Sequence, residues 1–290
     1  MIKQAIIPLA GLGTRMLPLS SVMPKELLPI NGKPNLEYIM DECIEAGISQ
    51  FIFIISKDKI AIKKYFFNDL FYKNIIKKNN DKRIIQEFRR LKKYQKMIKF
   101  VYQNTPRGTG DAVLKCEKLI KNNYFLMLLP DDLIIKNNCT KEMIKLHQSN
   151  KCSILATKKV DRKSVSRWGI LSIQNKKKGF FQINDVVEKP SIKKAPSNYA
   201  IIGRYILPKK IFAEIKKIKP GQGGELHITD AIRNLIFKGE KFLGNIFKGK
   251  YLDCGTLNGY VKSGLLIFKE NKWNYACLLY TSDAADEEDS

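Results

Sequence analysis

The chain is poor in histidine: His147 and His227 are its only two among 290 residues, which argues against His-based catalytic triads and His-rich metal centres. Its six cysteines (Cys43, Cys116, Cys139, Cys152, Cys254 and Cys277) form no CxxC pair and lack metal-ligand spacing. Most stand in apolar runs, where a thiol acts as a small hydrophobe, so a disulfide framework or zinc site is not expected. No apolar run approaches the ~20 residues that span a bilayer. The opening MIKQAIIPLAG carries one Lys and too short an apolar run for a signal peptide, so a cytoplasmic protein with no membrane partner is expected. There is no internal repeat, and no Pro- or Gly-rich linker divides the chain.

Acids are scarce as well: 28 against 52 Lys and Arg, a net charge of +24. Only nine of the 52 are Arg, the residue whose fork reads base edges, and the lysines are dispersed apart from a dense stretch over Lys73–Lys99. A solvated basic surface that suits a small polyanionic substrate accounts for this pattern, and no nucleic-acid partner is expected. A basic nucleic-acid-binding protein is the rival reading. After Trp273 the basic residues stop, and residues 277–290 carry five acids. Residues 274–290 are therefore expected to be a non-native tail, outside the fold.

What remains reads as one domain over 1–273. Short apolar strands alternate with helical stripes through the first half: Ile6–Leu9, a helix over Leu36–Ile48, Phe51–Ile55, a helix over Ile60–Phe71 and a basic excursion to Lys96. Ile98–Tyr102, a helix over Asp111–Ile120 and Tyr124–Leu129 follow. This alternation predicts an α/β fold, a Rossmann-like, mostly parallel sheet flanked by helices, with ligands beyond the carboxyl ends of the strands. About 1–150 form a nucleotide-binding half. About 151–273 form a smaller, β-rich, sugar- or acceptor-binding half, with strands at Ser153–Thr157, Gly169–Ile173, Phe180–Glu188 and Asn198–Leu207 and a helix over Leu226–Phe237. The turn-rich QNKKKG is expected to close a hairpin.

Gly11-Leu12-Gly13-Thr14-Arg15 falls short of a GxGxxG fingerprint, because Met16 stands where the third glycine belongs. Arg15 instead offers a permanent cation beside two glycines, and Pro24-Lys25-Glu26-Leu27-Leu28-Pro29 holds a lysine between prolines. A loop that presents Arg15 and Lys25 together makes a triphosphate clamp. Asp131 follows an apolar strand and a proline; it either holds a divalent ion or caps the next segment, with the adjacent Asp132 as the alternative ligand.

AGLGTRMLP followed by PKELLP resembles the sugar-nucleotide pyrophosphorylases, in particular their uridylyl-transferring branch. The likeness runs from Ile2 to about Phe268 through QNTPRGTG at Gln103, LPDD at Leu129, RWGI at Arg167, VEKP at Val187, APSN at Ala195, GRY at Gly203, ELHITDAI at Glu225 and DCGT at Asp253. It implies the nucleotide-diphospho-sugar transferase type of fold and Mg²⁺-dependent uridylyl transfer from UTP to glucose 1-phosphate, releasing pyrophosphate. Thymidylyl transfer is the neighbouring alternative. It also implies a homo-oligomer, dimer or tetramer. By resemblance, Arg15, Lys25 and Lys189 are catalytic, and Ala10, Gly11, Gly13, Gln103 and Gly108 bind the nucleotide. Gly169, Glu188 and Lys189 hold the sugar phosphate, while Asp131 and Asp253 hold the metal. Trp168 either stacks on ligand or packs in the core. Asp111 stands where many members have His and is read as a helix cap; His227 stands where Gln is usual and is read as a surface variation.

Overall fold

The computed structural model describes residues 2–270; the expected foreign tail, 274–290, lies outside the described residues. A nine-stranded sheet forms the frame. In spatial order its strands are Ile98–Tyr102, Gln50–Ile55, Gln4–Pro8, Tyr124–Leu128, Tyr199–Pro208, Ser153–Lys159, Phe242–Ile246, Phe180–Glu188 and Gly169–Lys177.

The first four strands are mutually parallel, as the strand–helix alternation predicts. Their composition explains their place. In Gln50–Ile55, Phe51, Phe53 and Ile55 enter one apolar cluster, while Ile52 and Ile54 enter the other. With both faces covered, the strand reads as an unbroken apolar run rather than an alternation. Helices Asn35–Glu45, Ile60–Phe67, Lys82–Gln95 and Cys139–Asn150 cover the first face, and Thr109–Leu114, Ile211–Ile215 and Ile228–Phe237 the second.

Beyond residue 150 the sheet is mixed. Tyr199–Pro208 runs antiparallel to Tyr124–Leu128, and so ties the two stretches of chain into one sheet. Among the described residues there, only Phe242–Ile246 and Ser153–Lys159 pair in parallel.

Several elements differ from the periodicity in bounds. The helix expected over Ile60–Phe71 breaks at Asn68 into Ile60–Phe67 and Asp69–Asn79. The hairpin is tighter than QNKKKG suggests: Gly169–Lys177 continues until Lys177 pairs with Phe180, leaving Lys178-Gly179 as the turn. Gly179 there takes φ +89°, which only glycine adopts without strain. The helix expected over Leu226–Phe237 starts at Ile228, since the Leu226 backbone is engaged elsewhere, accepting from Gly110 N–H at 2.7 Å and donating to Arg107 O at 2.8 Å.

Candidate active site

Three parallel strands end on one edge, and each delivers a loop: Leu9–Gly13 after Gln4–Pro8, Gln103–Gly108 after Ile98–Tyr102, and Leu129–Asp132 after Tyr124–Leu128. Two adjoining cavities open there. The smaller, of about 200 Å³, is lined by Ala10, Gly11, Lys25, Gln103, Gly108 and Asp131. The larger, of about 290 Å³, is lined by Arg15, Asp131, Arg167, Trp168, Gly169, Glu188, Lys189 and Asp253. Asp131 belongs to both walls, with Thr109, Leu129 and Glu225. Sequence positions from 10 to 253 therefore meet at one carboxylate. Gly13 lines neither cavity. It turns the chain with φ +71°, and its carbonyl accepts from Ser20 Oγ at 2.9 Å.

Around Asp131 the charges are tightly matched. Lys25 Nζ lies 2.7 Å from Asp131 Oδ2, and Arg15 reaches the same oxygen at 3.4 Å. Burial opposes both charges of the Lys25–Asp131 pair, yet their mutual attraction prevails: the carboxyl is held below its ordinary range and the ammonium above. Glu26, next to Lys25, is almost wholly buried and takes Lys59 Nζ on both oxygens at 2.8 and 2.9 Å. This pair pins the PKELLP segment from beneath. Nothing in the sequence around Lys59 marked it, because the partner lies 33 residues away.

Asp132 is held differently. Its Oδ1 accepts from Tyr251 O–H at 2.7 Å, and its carbonyl accepts from the fully buried Arg204 guanidinium. Burial, then the neighbouring charge of Asp131, pushes its carboxyl up to about 7. Arg204 also donates to Glu42 Oε2 at 2.7 Å, and Glu42 in turn accepts from Thr140 Oγ1 at 2.7 Å. Gly203, preceding Arg204, takes φ +42° against Asp132, where a Cβ would collide with the carboxyl. GRY therefore serves the floor of the site.

In the larger cavity Asp253 Oδ2 accepts from Arg167 at 2.9 Å and its Oδ1 from Gly255 N–H at 2.9 Å. Asp253 lies opposite Asp132 in an antiparallel pair, and Cys254 N–H donates to Asp131 O at 2.7 Å. Glu188 Oε2 accepts from Thr229 Oγ1 at 2.9 Å, while Oε1 stands 3.8 Å from Lys189 Nζ. Lys189 itself takes φ +42°, rare outside glycine, with its N–H on Trp168 O at 3.0 Å. Trp168 lines the cavity and packs edge-on against Tyr251, centroids 5.8 Å apart, which accords with the packing role.

Two sequence readings are corrected. Asp111 is not the helix cap; that position is Gly108, φ +95°, and Asp111 instead accepts from Gln103 Nε2 at 2.6 Å. His227 is not on the surface. It is buried, precedes the helix Ile228–Phe237 and lines the larger cavity with Nδ1 4.0 Å from Glu225. Its apolar neighbours, Leu226 and Ile228, carried that signal.

Two adjoining cavities that share one carboxylate, itself held by Lys25 and Arg15, stand on the carboxyl edge of an α/β sheet, an arrangement suited to a nucleotidyltransferase. The chain belongs to the nucleotidyl transferase family, whose pattern it matches over residues 4–269. It is 36% identical to the UTP–glucose-1-phosphate uridylyltransferase of Mycoplasma genitalium over 277 residues, covering 93% of each chain. It is 35% identical to that of Pseudomonas aeruginosa over 266 residues, 91% of this chain and 95% of the relative. The crystal structure of a UDP-glucose pyrophosphorylase complexed with UDP-glucose superposes with a TM-score of 0.82 at 36% identity, covering 93% of this chain and all of that one.

Proposed function

We propose that the chain transfers uridylyl from UTP to glucose 1-phosphate, giving UDP-glucose and pyrophosphate. The observation that carries this reading is the shared wall. UTP in the smaller cavity and a sugar phosphate in the larger one meet at Asp131, with Lys25, Arg15 and Lys189 around them. The relatives supply the identities of the two substrates.

An oxygen of the sugar phosphate forms a bond to the α-phosphorus of UTP, while the bond from that phosphorus to the bridging oxygen breaks and its electron pair leaves with pyrophosphate. The nucleophile is already an anion, so no base is required; positioning and charge neutralisation remain. Lys25 faces the triphosphate, and Arg15, on the larger cavity's side of Asp131, faces the phosphates where the two substrates meet. Lys189 faces the sugar phosphate, Glu188 accepts sugar hydroxyls, and Gly169 admits the ring close to the backbone, since a Cβ there would already crowd Glu188 at 3.2 Å.

The donor set suits a divalent ion. Asp131 is kept ionised by Lys25 and lines the same cavity as Asp253, and hard carboxylate oxygens completed by phosphates and water are what Mg²⁺ favours. Asp131 and Asp253 would hold it, and bound there it would neutralise phosphate charge. Asp132 is the weaker candidate, since burial and the charge of Asp131 push its carboxyl up to about 7 and favour its neutral form.

We further assign the reaction to the cytoplasm. Among the described residues no helix is long and apolar enough to cross a membrane. We also propose self-association through the helix Leu257–Glu270, whose Leu257, Val261, Leu265 and Phe268 are exposed at helical spacing.

The test is Mg²⁺-dependent pyrophosphate release with glucose 1-phosphate and each of UTP, dTTP, ATP, CTP and GTP. UTP is expected to be turned over fastest. Faster release from another nucleotide, or none from UTP, overturns the reading.

A further inference from the structure

Gln103 opens the loop after Ile98–Tyr102, and its position is fixed by its own N–H, which donates to Ile55 O at 2.9 Å. The side chain is almost wholly buried at the wall of the smaller cavity. Its Nε2 donates to Asp111 Oδ2 at 2.6 Å and to Gly108 O at 3.3 Å. A carboxylate and a peptide carbonyl both accept, so only the NH₂ end of the amide can face them. Both its protons are then used. Oε1, which accepts no hydrogen bond among the described residues, is the atom left for the cavity. With the amide reversed, Oε1 would meet a carboxylate oxygen and a carbonyl oxygen at hydrogen-bond distance, lone pair against lone pair.

We infer that Asp111 is a specificity-determining positioning residue: it locks the Gln103 amide with its carbonyl toward the nucleotide, selecting a pyrimidine that carries an imino N–H over cytosine. Uracil and thymine present a donor at ring position N3, whereas cytosine presents a lone pair there. The inference rests on the uridylyl reading above and deepens it by naming the residue that decides the base edge. It assigns no discrimination between UTP and dTTP to this pair, since both bases share the imino group.

The test compares wild type, Asp111→Ala and Asp111→Asn in two ways. One is kcat/KM for UTP and for CTP with glucose 1-phosphate. The other is equilibrium binding of UTP and of CTP with Mg²⁺ and no sugar phosphate. A hydrogen bond to a charged partner sets the amide orientation by at least about tenfold. The UTP:CTP ratio is expected to fall at least ~10-fold in Asp111→Ala and ~3-fold in Asp111→Asn, which keeps a neutral acceptor. The change should sit mainly in KM, and the UTP:dTTP ratio should hold within about twofold. A merely structural role weakens both nucleotides alike and leaves the UTP:CTP ratio still; that result in a variant with wild-type melting overturns the inference. Should Asp111→Ala not fold, an unchanged ratio in Asp111→Asn overturns it as well. A wild type that binds UTP no better than CTP also overturns it, whatever its activity. Conversely, a uracil preference that Asp111→Ala abolishes, in a protein releasing no pyrophosphate from UTP and glucose 1-phosphate, upholds the inference and sinks the uridylyl reading.

Discussion

Lys25→Met is the most informative perturbation of the site. The lysine stands 2.7 Å from Asp131, with 13% of its side chain exposed, so water contributes little to stabilising either charge. Methionine keeps the stem and removes the ammonium. In the free enzyme Asp131 then retains only Arg15, farther away at 3.4 Å and on a side chain 58% exposed. The heavier loss falls on the transition state, where the triphosphate gathers charge against an uncompensated carboxylate. Removing one preorganised charge or donor from such a centre typically costs ~3–4 kcal/mol, a fall in kcat of roughly 10²–10³. Folding should suffer less, about 1–2 kcal/mol, since Asp131 is partly open to the cavity and keeps one cation. Pyrophosphate release at saturating substrates reads the first effect, and urea denaturation followed by circular dichroism reads the second. A kcat within tenfold of wild type would refute the clamp; a similar fall accompanied by global unfolding would assign Lys25 to structure instead.

Asp253→Ala should raise the Mg²⁺ concentration needed for half-maximal turnover at least about tenfold, read by titrating the metal at fixed UTP, while a chelator abolishes release and added Mg²⁺ restores it. Glu188→Gln should raise KM for glucose 1-phosphate about tenfold or more with a smaller change in KM for UTP, because its contacts, including the one with Lys189, lie on the sugar-phosphate side. Arg204→Met strands the Glu42 carboxylate in the core and should cost ~3–5 kcal/mol in urea melts, with Glu42→Met recovering most of it in the double variant. Gly203→Ala places a side chain at φ +42° against Asp132 and should lower stability by more than the ~1–2 kcal/mol of a left-handed residue alone.

The chain discloses its parallel half more fully than its mixed half. Strands such as Gln50–Ile55 are buried on both faces and announce themselves as apolar runs bounded by polar turns. The direction of Tyr199–Pro208 has no comparable signature, since an apolar run reads the same whether its neighbours run with it or against it. The site divides in the same way. Ala10, Gly11, Lys25, Gln103 and Asp131 were visible because loops after strands carry compact motifs. Lys59, Arg204, Glu42 and Tyr251 act across the sheet, at separations of 33 residues or more, and their roles arise only from the packing. His227 and Asp111 differ from their sequence readings because packing decides both: His227 is buried at the wall of the larger cavity, and Asp111 meets Gln103 eight residues away.

The wall shared by the two cavities has a thermodynamic corollary. Lys25 and Arg15 both attend Asp131, and in the proposed function both face incoming phosphate, so an anion that draws either cation toward one cavity alters the charge presented to the other. Binding on the two sides is therefore linked, and linkage is reciprocal: whatever factor the nucleotide imposes on the affinity for the sugar phosphate, the sugar phosphate imposes on the nucleotide. A carboxylate that separates two substrates thus also makes each of them an effector of the other.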